Sequence, residues 1–79
     1  MEIEVRLFAT MQQYSPVWAN GHIFKLRLPE GASVDAALDE IPIPREVPRI
    51  VILNGSRVRQ DCPLGPGDVL SLFPVLGGG

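Results

Sequence analysis

The sequence predicts an α+β domain, one short helix laid across one face of a mixed sheet of four to five strands. Three observations carry that prediction. Two early segments, Ile3-Glu4-Val5-Arg6-Leu7 and Phe24-Lys25-Leu26-Arg27-Leu28, alternate apolar and charged residues with period two, as half-buried strands do. A single segment has helical spacing, with Val34, Ala37, Leu38 and Ile41 at i, i+3, i+4 and i+7. Two later apolar runs, Ile50 to Leu53 and Val69 to Val75, are set off by Asn54-Gly55 and by Leu64-Gly65-Pro66-Gly67-Asp68. With 79 residues the chain has room for one domain, spanning 1–79, and no second core.

The first strand puts Ile3, Val5 and Leu7 on one face and Glu4, Arg6 and Phe8 on the other. From Met11 to Gly21 the alternation is lost, predicting a long loop with one helical turn around Gln12 to Tyr14. Asn20-Gly21 is a turn signal that leads into the second strand, so the first two strands form a hairpin. Pro29-Glu30-Gly31-Ala32 ends that strand. Ser33 then stands as an N-cap, and Asp35 places a carboxylate in the first turn, where the helix dipole favours it. Pro42 and Pro44 stop the helix after about two turns, too short to persist without packing on the sheet. Ile50-Val51-Ile52-Leu53 reads as a buried strand because β-branched residues dominate it, and a short return follows through Arg57 and Val58.

Composition removes several function classes. A hydrophobic fraction of 46% with 20% charged residues is too apolar for a disordered chain. No apolar run approaches the ~20 residues of a membrane span. Met1-Glu2-Ile3-Glu4 carries carboxylates where a secretory signal carries Lys or Arg, so a cytoplasmic location is expected. A net charge of −2 supplies no basic stripe for nucleic acid. Cys62 and His22, one of each in the chain, make neither a disulfide nor a Cys/His metal set.

Several segments in order carry a family resemblance: Leu7-Phe8-Ala9, Leu28-Pro29-Glu30-Gly31-Ala32-Ser33-Val34, Asn54-Gly55, Gly65-Pro66-Gly67-Asp68, and the ending Phe73-Pro74-Val75-Leu76-Gly77-Gly78-Gly79. Together they make the chain similar to the MoaD/ThiS-like sulfur carriers of ubiquitin-like β-grasp fold, with the MoaD-type small subunits of molybdopterin synthase the nearer match. The resemblance spans essentially all 79 residues. It departs from the pattern at Gly77, where similar proteins usually have a small or polar residue before the final glycine pair.

What the resemblance implies is chemistry at the chain end. The Gly79 carboxylate would be adenylated with ATP by a MoeB/ThiF-like activating enzyme, and a cysteine desulfurase or rhodanese would then supply sulfur to leave a thiocarboxylate. A MoaE-like large synthase subunit would accept that sulfur in building the pterin dithiolene of the molybdenum or tungsten cofactor. The chain itself binds no cofactor on this reading, and serves as the non-catalytic, sulfur-donating subunit. Glycines suit the task physically: Gly77 and Gly78 lack Cβ and can thread a channel too narrow for side chains. The segment from Pro74 to Gly79, a flexible tail over 75–79, reaches at most about 20 Å. Related expectations are a carrier for thiazole, cysteine or tRNA sulfur, and a ubiquitin-like modifier joined to lysines through Gly79. Lys25, the only lysine, makes polymeric chains less attractive.

Strand parity adds an inference independent of the family. If Leu70 and Leu72 face the helix, Val69, Ser71 and Phe73 face away, and Phe8 shares that open face. Parity thus marks Phe8 and Phe73 as candidates for a partner surface, and the resemblance to a docking strand makes Phe73, Pro74, Val75 and Leu76, with Phe8, the expected partner-binding residues. The competing expectation is that Tyr14 or Trp18 of the long loop covers the two rings. Cys62 and His22 receive no role. Arg45, Arg49, Arg57 and Arg59 would suit an acidic partner rim only if they stand free.

Overall fold

A computed structural model describes residues 1–75. The end from Leu76 to Gly79, with the expectations placed on it and most of the expected 75–79 tail, lies outside the described residues. Strand β1 (Glu2–Leu7) pairs antiparallel with β2 (Ile23–Arg27), setting Val5 opposite Phe24 and Ile3 opposite Leu26. Helix α1 (Val34–Asp39) follows, then β3 (Arg49–Leu53), β4 (Ser56–Arg57) and β5 (Val69–Pro74). The sheet order is β2-β1-β5-β3-β4. β5 runs parallel to β1 and antiparallel to β3, which makes the sheet mixed and sends the C-terminal ends of β1 and β5 to the same edge of the domain. This is the predicted α+β class, a five-stranded ubiquitin-like β-grasp.

The core forms where the inward faces meet the helix. Ile3, Val5 and Leu7 of β1, Phe24 and Leu26 of β2, Val51 of β3 and Leu70 and Leu72 of β5 are all buried. Val34, Ala37 and Leu38 of α1, with Ile41 beyond it, meet them from above, while Asp35, Asp39 and Glu40 face water. Ser33 caps the helix through its hydroxyl, which accepts from Ala36 N at 3.5 Å. The other early amides are satisfied from across the fold: Val34 N donates to Cys62 O at 2.9 Å and Asp35 N to Gln60 O at 2.8 Å. A two-turn helix with four orphan amides at its start is thus held by the 60–62 segment as well as by its apolar stripe.

Two expectations are corrected. The helical turn in the β1–β2 connection begins earlier, as a 3-10 helix over Ala9–Tyr14, because Met11 turns inward and joins the core at 1% exposure. The Ile50 to Leu53 run is not buried on both faces: Val51 is buried, whereas Ile50 and Ile52 are half-buried on the face away from the helix. A run apolar on both sides marks a strand covered twice in most sheets; here no element among the described residues covers the outward side of β3. Asn54 (φ 50°) and Gly55 (φ 87°) close the β3–β4 turn in the left-handed geometry that Asn-Gly favours.

Candidate docking face and chain end

The candidate site grows from three register facts. Leu7 lies beside Leu72 on the parallel β1/β5 pair, so the next residues outward, Phe8 and Phe73, come together. Phe73 also stands opposite Ile50, and Ser71 opposite Ile52. Ile23 is paired with Arg6, on the same outward face, immediately behind Phe8. The result is an apolar row, Ile23, Phe8, Phe73 and Ile50, across the open face at the edge where β5 ends.

The two phenyl rings stack with centroids 4.4 Å apart and planes within 6°. Each half-covers the other, which is why both are half-buried on a face that no other element covers among the described residues. The backbone locks the pair as well: Phe8 N donates to Leu72 O at 3.0 Å. The long connection does not cover them. Trp18 instead packs edge-on against Phe24, at 5.4 Å and 86°, on the helix side of the sheet, and Tyr14 packs against the core. The expectation that Tyr14 or Trp18 shields the open-face rings is therefore replaced by ring-on-ring packing between Phe8 and Phe73.

Behind this row the face becomes polar and basic. Arg6 and Lys25 both reach Glu4, Lys25 at 3.6 Å, and the Arg6 guanidinium bonded to its carboxylate holds Glu4 below the usual carboxylate range, with Lys25 adding to the effect. Arg27 and Arg57 project from the same face by parity. Of the other arginines, Arg45 pairs with Asp39 and Arg59 lies 3.8 Å from Asp61. Arg49 donates to the carbonyls of Pro44, Arg45 and Val47, closing the Pro-rich segment after α1. Of the suggested arginine rim, Arg45 and Arg49 are held by bonds within the fold, while Arg57 and the almost fully exposed Arg59 stand at the surface.

The turn before β5 is held by a small polar network. Asn54 Oδ1 accepts from Val69 N at 2.8 Å and Asn54 Nδ2 donates to Asp68 at 3.0 Å, while Asp68 also accepts from Gly65 N at 2.7 Å. These bonds, that from Asn54 first, keep the Asp68 carboxyl below its usual range. They fix where β5 starts, and so the register that places Phe73.

Of the residues expected to bind a partner, Phe8 and Phe73 come together. Pro74 closes β5 opposite Arg49, and Val75 is exposed at 45%. Leu76, Gly77, Gly78 and Gly79 lie outside the described residues. Ile23, Ile50 and Ile52 extend the same face and were missed from sequence. Parity about Val51 was the available signal, hidden by the unbroken apolar run. Among the described residues no group of three or more His, Cys, Asp or Glu side chains is placed to hold a metal. Cys62 points its thiol at the Pro63 carbonyl, 3.6 Å away, and His22 is exposed. No helix is long and apolar enough to cross a membrane.

Comparison with known proteins places this geometry. A Pyrococcus furiosus protein described as molybdopterin converting factor, subunit 1, superposes with a TM-score of 0.74 at 27% identity, over 92% of this chain and 95% of that one. SAMP1 of Haloferax volcanii superposes at 0.76 with 21% identity over the whole of both chains. A second structure, of the H. volcanii small archaeal modifier protein 1, gives 0.71 at 21% identity over 92% and 95% of the two chains. Comparison with curated proteins gives no match. The model of the ThiS family matches residues 5–79, nearly the whole chain and its glycine end included, so the chain belongs to the ThiS family of ubiquitin-fold sulfur carriers.

Proposed function

We propose that this chain is a MoaD-type sulfur carrier whose reacting group is its own C-terminal carboxylate at Gly79. The observation that carries the proposal is the Phe8–Phe73 stack at the edge of the open face where β5 leads toward the glycines. A carrier of this kind must dock by its folded body while its end reaches into a partner, and an apolar row beside the exit of the last strand serves that division of labour. The likeness to a molybdopterin converting factor subunit at 27% identity supports the pterin branch over others.

The chemistry follows from the end group. A carboxylate is a poor electrophile; attack of a Gly79 oxygen on the α-phosphate of ATP, with loss of pyrophosphate, makes an acyl-adenylate. The outer sulfur of a donor protein's cysteine persulfide attacks the acyl carbon and displaces AMP, leaving an acyl disulfide; a second thiol then attacks the donor cysteine's sulfur and breaks the S–S bond, so that the carrier leaves as a thiocarboxylate and the two thiols end as a disulfide. The partners are then a MoeB/ThiF-like adenylating enzyme, a sulfur donor such as a cysteine desulfurase or rhodanese, and a MoaE-like synthase subunit. The chain supplies the acyl group and the docking face, and ATP is consumed by the activating enzyme. Such a relay would operate in the cytoplasm.

The test is the intact mass of the protein from its own host, with Cys62 blocked, before and after a thiocarboxylate-reactive alkylating reagent. Sulfur in place of one terminal oxygen supports the carrier; loading of a ThiS-like partner pathway instead of a pterin synthase would move the acceptor to thiazole, cysteine or tRNA sulfur. A second reading, a protein modifier, is favoured by the shared fold with small archaeal modifier protein 1. It predicts adducts joining Gly79 to lysines of other chains, with an unmodified terminal carboxylate in the free protein.

A further inference from the structure

The chain contains two asparagines, Asn20 and Asn54, and each is followed by glycine. The structure treats them differently, and we propose that Asn20 is a site of spontaneous deamidation while Asn54 is protected by the fold. Glycine after asparagine removes the Cβ that would obstruct the following backbone nitrogen from approaching the side-chain carbon. In the reaction the Gly21 nitrogen loses its proton and bonds to Asn20 Cγ; the Cγ–Nδ2 bond breaks and ammonia leaves, closing a cyclic imide. Water then adds to one of the two imide carbonyls and opens the ring, giving aspartate or isoaspartate. One water is consumed and one ammonia released, with no oxidant or reductant.

At Asn54 this motion is blocked by specific bonds. Its amide is held at both ends, Oδ1 by Val69 N at 2.8 Å and Nδ2 by Asp68 at 3.0 Å, and its own backbone N donates to Val69 O at 2.9 Å. Swinging Cγ toward the Gly55 nitrogen breaks both side-chain bonds and strips Val69 N of its acceptor. The finished product would also set a new carboxylate against Asp68. At Asn20 none of these restraints exists. The residue is exposed in a bend of the long β1–β2 connection, and its side chain makes no hydrogen bond within the described residues. Gly21 is exposed too, at φ +123° with nothing within 4 Å of where a Cβ would stand. Deamidation there puts a negative charge, and in the isoaspartate form one extra backbone carbon, just before His22, whose carbonyl accepts from Leu7 N at 2.8 Å.

The experiment needs the protein alone. The full chain is incubated at mildly alkaline pH, folded and in concentrated urea, then cut with trypsin, which separates the sites into the peptides 7–25 and 50–57. Exchange of NH2 for OH is followed by mass and located by fragmentation. In the folded protein Asn20 should react at least about 30-fold faster than Asn54, the suppression expected when reaction at Asn54 waits for local opening of a hydrogen-bonded hairpin. In urea the two rates should converge. Asp68→Ala should raise the Asn54 rate in the folded protein and leave Asn20 unchanged. A folded-state rate at Asn54 equal to that at Asn20, no reaction at Asn20 in the folded protein, or an Asn54 rate indifferent to Asp68→Ala overturns the proposal.

Discussion

The Phe8–Phe73 stack makes a quantitative prediction that needs no partner. Parallel rings with centroids 4.4 Å apart, if separated face to face by about 3.5 Å, are slipped by about 2.7 Å, the offset arrangement that aromatic quadrupoles prefer. Pairs of this geometry are worth about 0.5–1.5 kcal/mol beyond burial. A fully buried Phe→Ala costs about 3–5 kcal/mol, and rings covered on one side should lose roughly half of that, about 2 kcal/mol each. The second truncation then removes a ring whose partner is already gone, so Phe8→Ala with Phe73→Ala together should cost about 3 kcal/mol rather than about 4. A domain of this length has about 4–12 kcal/mol of stability, so the single variants stay folded. Urea unfolding of the four proteins at constant slope measures the coupling directly. A coupling below about 0.3 kcal/mol would refute the stack as a solution feature and return Phe73 to the status of an isolated exposed ring.

Four further expectations follow from other parts of the molecule. Leu72, fully buried in the central strand, should cost about 3–5 kcal/mol as Leu72→Ala, read as a large drop in the urea midpoint or loss of the folded state. Ala9 holds φ 52°, a left-handed conformation that an L residue adopts at a cost of about 1 kcal/mol, so Ala9→Gly should be neutral to stabilising by up to that amount in thermal unfolding, where an ordinary Ala→Gly change destabilises. Asp68 has a folded-state pKa below its unfolded value of about 3.9, so its contribution to stability is present above pH about 4 and is lost as pH falls through the folded value; acid titration of stability in Asp68→Asn should show a shallower fall in that window. Removing Gly79 should leave the unfolding midpoint unchanged and abolish adenylation by the host's activating enzyme, measured as ATP–pyrophosphate exchange.

Much of this was legible from local pattern. Period-two alternation placed Ile3, Val5 and Leu7 inward and Phe8 outward, helical spacing found Val34, Ala37, Leu38 and Ile41, and Ser33 marked the cap, because each depends on neighbours a few residues away. What stayed hidden was decided by distant partners. Nothing near Trp18 says whether it crosses to the open face or folds over Phe24; the inward turn of Met11 settles it by carrying the connection to the helix side. The amides at the start of α1 are met by Gln60 and Cys62, about 25 residues along, a closure that no spacing rule encodes. Likewise Ile50 and Ile52 look like core in sequence, and they stay half-buried because no second layer among the described residues covers them. The misreading and the candidate site have one cause, since β3 is apolar on both faces and, among the described residues, α1 covers only one of them.

The position of β5 shows how one short strand could serve both the proposed docking face and the proposed chain-end chemistry. It lies in the middle of the sheet, bonded on one side to β1 and on the other to β3, and alternates its duties residue by residue. Leu70 and Leu72 point inward at 0% exposure and anchor the strand to the core, while Phe73 points outward into the stack and Pro74 closes the ladder opposite Arg49. Proline contributes no amide, so pairing along β5 stops there, one residue beyond Phe73. On the proposed function, a partner that gripped Phe8 and Phe73 would thereby hold the end of β5 at Pro74 to within a residue's length. On that proposal, the at most about 20 Å that an extended chain spans from Pro74 to Gly79 would bound how far from the docked body the carboxylate could be presented.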